Sequence, residues 1–176
     1  HLGEYVHGLK LTSYMINITM HDDGRFTYQT ILEITDLSIQ NLTSLTIHRY
    51  YPEPDIIEDE EGSISFNYTE YGVPYPGKLT IYLRHPLDIG QNYTITIFNY
   101  FPPSAQKPEK FGLQSGTNFC ILLFANCSNL SIDISFPEYY VINETNPQPT
   151  VQTMHRVVWT HKDVVAYTSI EDTLTV

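Results

Sequence analysis

The sequence predicts an all-β fold, an antiparallel β-sandwich of roughly nine or ten short strands that forms a single domain over residues 1–176. Two observations predict it. Apolar and polar side chains alternate along most of the chain, and the 3.6-residue period of an amphipathic helix is almost absent. Proline, glycine and asparagine interrupt the alternating segments at short and fairly even intervals, as in sandwiches built from short strands.

The first two strands are predicted to form a hairpin. Apolar side chains recur at every second position of residues 14–20, and the turn sequence Asp23-Gly24 leads into a second alternating segment. Residues 1–12 precede the strong alternation and are a candidate for an extended N-terminal arm. The strand candidates, which are rich in β-branched residues and tyrosine, are 14–20, 28–35, 44–49, 63–68, 78–83, 93–100, 118–124, 130–136, 156–160 and 173–176.

Composition excludes several classes of protein. Hydrophobic residues make up 41% of the chain, which is enough for a folded core. A net charge of −11, with nine scattered cations, argues against a nucleic-acid partner. The longest apolar stretch, residues 120–125, is far shorter than the roughly 20 residues that span a bilayer, so no transmembrane segment is predicted. The first ten residues lack the pattern of a signal peptide, which indicates either a removed signal or none.

Asparagine usage predicts the compartment. Seven of the ten asparagines begin an Asn-X-Ser/Thr triplet, whereas the Ser and Thr content alone predicts about two. The simpler alternative is that strand edges rich in Asn and Thr produce such triplets by composition alone. We favour a secreted or extracellular protein that carries N-linked glycans, because such sugars are attached only in the secretory route. The candidate glycosylation sites are Asn17, Asn41, Asn67, Asn92, Asn126, Asn129 and Asn143.

The two cysteines, Cys120 and Cys127, fit the same compartment. A pair seven positions apart can close a small disulfide loop, which would stabilise the fold by about 2–3 kcal/mol. A metal site would need further ligands at suitable spacing, and the sequence has no Cys-X-X-Cys pair. We therefore predict a Cys120–Cys127 disulfide.

Three segments, in order, resemble the N-terminal β-domain of the aminopeptidase N family of zinc metallopeptidases. Residues 24–34 followed by 45–48 are similar to that domain's opening strands. Residues 78–95 are similar to its Leu-x-Ile-x-Leu-x-x-Pro-Leu-x-x-Gly-x-x-Tyr-x-Leu segment, and residues 130–141 followed by 159–163 to its closing portion with Trp-Thr-His. The resemblance covers most of the chain and implies a β-sandwich domain.

The catalytic signature of that family is missing from the sequence. No His-Glu-x-x-His motif occurs, and the six-residue spacing of His155 and His161 suits neither a helix nor a strand as a zinc-binding pair. We therefore expect no catalytic residue, no metal and no cofactor, and hence a pseudoenzyme rather than an enzyme. An N-terminal copper site at His1 is the remaining metal alternative, but nothing else in the chain resembles the copper oxygenases.

The acidic run at residues 55–61 concentrates carboxylates that could attract a cation. It lacks the Asp-x-Asp-x-Asp-Gly arrangement that wraps calcium, so we predict a solvated loop between strands.

Tyrosine clusters are the candidates for a binding surface, because tyrosine offers contact area at low entropic cost. The alternative is that strands and turns simply favour tyrosine. The clusters are Tyr50 and Tyr51, Tyr71 and Tyr75, and Tyr139 and Tyr140.

We predict a non-catalytic binding or structural module with a protein partner or self-association. The rival hypothesis is an extracellular filament joined by β-strand exchange through residues 1–20. A third hypothesis, residual peptidase activity, would need a separate catalytic chain.

Overall fold

The structure is a computed structural model that describes residues 8–36, 38, 41–50, 53–71, 77–102, 117–122, 125–165 and 169–175. This part of the chain contains fourteen β-strands and no helix. The strands are β1 (Leu9–Met20), β2 (Phe26–Asp36), β3 (Leu42–Tyr50), β4 (Ile56–Asp59), β5 (Gly62–Ser63), β6 (Phe66–Thr69), β7 (Gly77–Leu87), β8 (Asn92–Phe101), β9 (Thr117–Leu122), β10 (Cys127–Ser135), β11 (Glu144–Asn146), β12 (Val151–Gln152), β13 (Arg156–Val164) and β14 (Ser169–Thr175).

The strands form one large sheet and two small ones. The large sheet has the order β12-β13-β10-β1-β2-β8-β4-β5, and the small sheets have the orders β11-β14-β9 and β3-β7-β6. One continuous core contains buried residues from all three sheets, including Leu45, Ile132 and Leu174. The prediction of an all-β, sandwich-like fold is therefore confirmed. The pairings are antiparallel as predicted, with the exception of β1 and β10, which run parallel.

Each strand candidate from the sequence overlaps an observed strand, but the number of strands is higher than predicted. Residues 63–68, predicted as one strand, divide into β5 and β6. The strands β4, β11 and β12 were not predicted, because two to four residues are too few to display an alternation.

The core is built from the inward positions of the alternating strands. Ile18, Leu32 and Ile95 are each at most 3% exposed, and each such side chain stabilises the fold by about 1.5–3 kcal/mol. Trp159 is 1% exposed, and its indole Nε1 donates to the Pro147 carbonyl at 2.8 Å, as expected for a core anchor.

Strand β1 lies in the middle of the large sheet, between β10 and β2. It begins at Leu9, and Leu11 is fully buried, so residues 9–12 of the candidate arm belong to the sheet. Residues 1–7 of that arm lie outside the described residues.

Candidate binding groove

An open groove lies at one end of the large sheet, between the loop that follows β10 and the turn that joins β12 to β13. Its volume is about 480 Å³, which is within the range of ligand-binding clefts. It is lined by Glu138, residues 140–142 and residues 152–155.

Backbone hydrogen bonds fix both walls of the groove. The Tyr140 amide donates to the Pro137 carbonyl at 3.1 Å, which forms a turn in the first wall. The Thr153 amide donates to the Arg156 carbonyl at 2.9 Å and closes the turn of the second wall. The Phe136 amide donates to the His155 carbonyl at 3.1 Å and ties the two walls together. The groove is therefore formed by the fold itself.

The groove and its rim expose apolar side chains. Met154 is 78% exposed, Val141 69% and Tyr139 54%. Tyr140 is mostly buried, and its ring lies 4.8 Å from that of Tyr139 and 6.3 Å from that of Phe136. Clusters of exposed apolar side chains next to a concave surface are typical of interaction sites.

Glu138 is the one carboxylate among the described residues that line the groove. Asp22 and Asp23 lie near Tyr139 on its rim, where Asp23 is paired with Arg25 at 2.7 Å. Burial together with these two carboxylates raises the pKa of Tyr139. The Tyr139 hydroxyl also donates to the Asp22 carbonyl at 3.5 Å. The His155 Nδ1 atom is buried and has no hydrogen-bond partner among the described residues. The arrangement is suited to a ligand that combines an apolar group with a positive charge.

The predicted tyrosine surface is not a single site in the described part of the chain. Tyr140 lines the groove and Tyr139 lies next to it on the rim, whereas Tyr71 is 52% exposed just after β6. Tyr50 ends β3, and its side chain lies outside the described residues, as do Tyr51 and Tyr75 altogether.

The predicted glycosylation sites lie mainly at the surface. Of the seven sequon asparagines, only Asn17 is half-buried, and its Nδ2 donates to Gln29 Oε1 at 3.0 Å. Asn143 directly follows the groove residue Ile142. The exposed asparagines are Asn41, Asn67, Asn92, Asn126, Asn129 and Asn143. A glycan on the folded protein requires an asparagine that is at least partly exposed, and all seven meet this requirement.

The predicted Cys120–Cys127 disulfide is not formed in the structure. Cys127 is a buried free thiol, 3.2 Å from the Asn129 carbonyl, and burial raises its pKa. The side chain of Cys120 lies outside the described residues. Cys120 belongs to β9 in a small sheet, and Cys127 begins β10 in the large one.

The acidic run forms the hairpin of β4 and β5 rather than the predicted solvated loop. Arg84 of β7 donates from Nε and Nη2 to the carboxylate of Asp59 at 2.9 and 3.0 Å. The Tyr93 hydroxyl donates to the same carboxylate at 2.5 Å, and the Glu61 amide at 2.9 Å. These donors, Arg84 foremost, lower the pKa of Asp59 far below its usual range. We call these residues the Asp59 cluster. Sequence reasoning missed it because the partners are about 25 to 34 positions apart.

A second polar link joins the large sheet to the β11-β14-β9 sheet. His161 of β13 and Asp172 of β14 approach to 2.8 Å between Nε2 and Oδ2, and Asp172 is fully buried. Its other carboxylate oxygen, Oδ1, has no hydrogen-bond partner in the part of the chain that the structure describes.

A metal-binding arrangement of three or more His, Cys, Asp or Glu side chains does not occur within the described ranges. Those ranges also contain no helix that is long and apolar enough to cross a membrane.

Comparison with known proteins identifies likeness in structure only. No protein-family profile and no curated protein sequence matches the chain. An M1 zinc metallopeptidase from Deinococcus radiodurans matches with a TM-score of 0.58 and 11% identity, over 96% of this chain and 42% of its own. The native leukotriene A4 hydrolase of Saccharomyces cerevisiae matches with a TM-score of 0.58 and 9% identity, over 96% of this chain and 29% of its own. The likeness shows a shared fold, and this chain spans less than half the length of either protein.

Proposed function

We propose that this domain is an extracellular, N-glycosylated, non-catalytic binding module of the kind that forms the N-terminal β-domain of M1 zinc metallopeptidases. The observation that carries the proposal is the structural likeness to M1 proteins over nearly the whole chain. The seven sequons, six of them on exposed asparagines, support the secretory route. The proposal concerns the domain itself, whether it acts alone or within a longer protein.

Production of the chain in cells with a secretory route tests the first part of the proposal. We expect the intact mass to fall after treatment with a peptide-N-glycosidase. We also expect no hydrolysis of aminoacyl anilides, with or without added zinc, because the chain has no His-Glu-x-x-His motif. An unchanged mass would contradict glycosylation, and turnover above the buffer rate would contradict the non-catalytic role.

The groove is the binding surface that we propose, and its occupant is a polypeptide segment that offers apolar side chains and positive charge. Met154, Val141 and Tyr139 supply apolar contact area. Glu138 and the nearby Asp22 supply negative charge, and the chain as a whole carries −11. Electrostatic complementarity of this kind speeds association with a basic partner and disfavours an acidic one.

Fluorescence anisotropy with a short peptide of alternating leucine and lysine tests this surface. We expect the peptide to bind more tightly than a matched peptide of leucine and glutamate, and Met154→Lys to weaken binding about tenfold. The matched control is Val165→Lys, which makes the same charge change at a valine that is 62% exposed just after β13. Equal binding of both peptides, or an equal effect of both variants, would refute the groove as the site.

Self-association through strand exchange stays a prediction. Size-exclusion chromatography of the purified chain distinguishes this hypothesis from the proposed binding module. A filament subunit elutes as a ladder of oligomers, whereas a binding module elutes as a monomer.

A further inference from the structure

The outer face of the large sheet, turned away from the core, carries a row of side chains that extends across five strands. Asp133 pairs with Asn17, Asn17 with Gln29, Gln29 with Phe98, and Phe98 with Ile56. Directly opposed residues point to the same face of a sheet, so these side chains are neighbours. Asn17 and Phe98 are two strands apart, which places their backbones about 10 Å from each other.

Phe98 and Tyr100 form a stacked aromatic pair on this face. Tyr100 pairs with Thr27, and Thr27 with Thr19, so the Tyr100 ring lies on the same side as Asn17. The two rings are parallel within 8°, with centroids 6.2 Å apart. Tyr100 is 50% exposed, and its amide donates to Asp55 Oδ2 at 2.7 Å, which fixes the strand at this point. We call Phe98 and Tyr100 the aromatic shelf.

The shelf has the chemistry of a sugar-binding surface. The faces of aromatic rings are electron-rich and attract the polarised C–H groups of a pyranose ring. Gln29 lies between Asn17 and the shelf, and its Nε2 atom carries two hydrogens that can donate to sugar hydroxyls. Its Oε1 atom accepts from Asn17, and the Thr27 hydroxyl is bonded to His21 Nε2 at 2.9 Å. A sheet face with rings and such polar groups suits an extended saccharide better than a compact apolar ligand.

Asn17 is the sequon asparagine best placed to supply that saccharide. Asn92 lies six residues before Phe98 on β8 itself, about 20 Å away along the strand. Asn129 pairs with Ser13 on the far side of β1, one strand further from the shelf. The Asn17 Nδ2 atom donates to Gln29 Oε1 at 3.0 Å, and an N-linked amide keeps one hydrogen with which it can make this bond.

We propose that an N-glycan on Asn17 lies across the outer face of the large sheet, with its first sugars stacked on the aromatic shelf of Phe98 and Tyr100. The inference rests on the proposed glycosylation and goes beyond it, because it assigns one sugar chain a binding site on the protein. The bound glycan covers half-buried apolar groups on this face and stiffens the sheet at its centre.

The experiment treats the native, secreted chain with a peptide-N-glycosidase. Glycopeptide mass spectrometry then measures the rate at which the glycan is released from each asparagine. We expect release at Asn17 to be about fivefold slower than at Asn92, because the stacked form must first detach. Phe98→Ala should accelerate release at Asn17 and leave the release rate at Asn92 unchanged. Tyr100→Ala changes a half-exposed residue and should have the same effect. Tyr71→Ala removes an exposed tyrosine outside the sheet and should change neither rate.

Three results would overturn the inference. Sugar on other sequons with none on Asn17 would refute it and leave the proposed function intact. Release at Asn17 that neither shelf variant accelerates would show that the glycan does not stack there. Absence of sugar from all seven sequons would refute this inference and the proposed glycosylation together.

Discussion

In the part of the chain that the structure describes, two polar links connect the sheets, and they differ in how completely the described residues bond their carboxylates. Asp59 accepts hydrogen bonds from Arg84, Tyr93 and the Glu61 amide, so both of its oxygens are satisfied. Asp172 is bonded through Oδ2 to His161, and it is fully buried. A buried carboxylate with one partner depends entirely on that partner, whereas a carboxylate with several donors loses only part of its stabilisation when one is removed.

The comparison predicts its largest effect at the link with one partner. We expect His161→Leu to lower the free energy of unfolding by about 3 kcal/mol, because it removes the one hydrogen-bond partner that the described residues give to the buried Asp172 carboxylate. The double variant His161→Leu, Asp172→Leu should lose less than the single one, since it removes the stranded charge. Urea unfolding of the full chain measures both. A double variant less stable than His161→Leu would show that the charge of Asp172 is not the cause.

A smaller effect is expected at the Asp59 cluster. Asp59→Asn should lower the free energy of unfolding by about 1–2 kcal/mol at pH 7, because it weakens charge-assisted hydrogen bonds. The pKa of folded Asp59 lies below the unfolded value of about 3.9, so its stabilisation is present above that pH and is lost as the pH falls further. The difference between wild type and variant should therefore shrink in urea titrations towards about pH 2.5. Asp88→Asn is the control at an exposed aspartate, and an equal response there would contradict the prediction.

The smallest effect concerns the neutral donor of the same cluster. Tyr93→Phe removes the hydrogen bond to Asp59 and the longer one, 3.2 Å, that the hydroxyl accepts from the Arg84 amide, and it should cost about 1 kcal/mol. Burial and the bond to Asp59 raise the pKa of Tyr93 to about 12, so its stabilisation is present below the ordinary tyrosine value of about 10 and is lost as the pH rises towards 12. Absorbance titration should show less tyrosinate forming near pH 12 in the variant. Tyr82→Phe, at a tyrosine that is 47% exposed, should change stability by less than about 0.5 kcal/mol.

The alternation of the sequence was sufficient to predict the class of fold and most long strands. Residues 14–20 and 28–35 show it clearly, and both lie in long strands of the large sheet. The parallel pairing of β1 with β10 could not be predicted, because register between distant strands leaves no mark in local periodicity.

Local sequence patterns also revealed only part of the candidate sites. The adjacent pair Tyr139 and Tyr140 was visible in the sequence, but the exposure of Met154 and Val141 depends on how two loops meet. The partners in the Asp59 cluster and the His161–Asp172 link come from different strands, so only the folded chain reveals them.

Strand β1 gains its two neighbouring strands at different times during synthesis. Its hairpin with β2 is local, but its other neighbour, β10, begins only at Cys127. While the ribosome makes the segment between them, one long edge of β1 has no strand beside it, and a long bare edge is a template for aggregation. Asn17 lies on this strand, so a hydrophilic sugar added there early would shield the nascent chain until its last neighbour arrives.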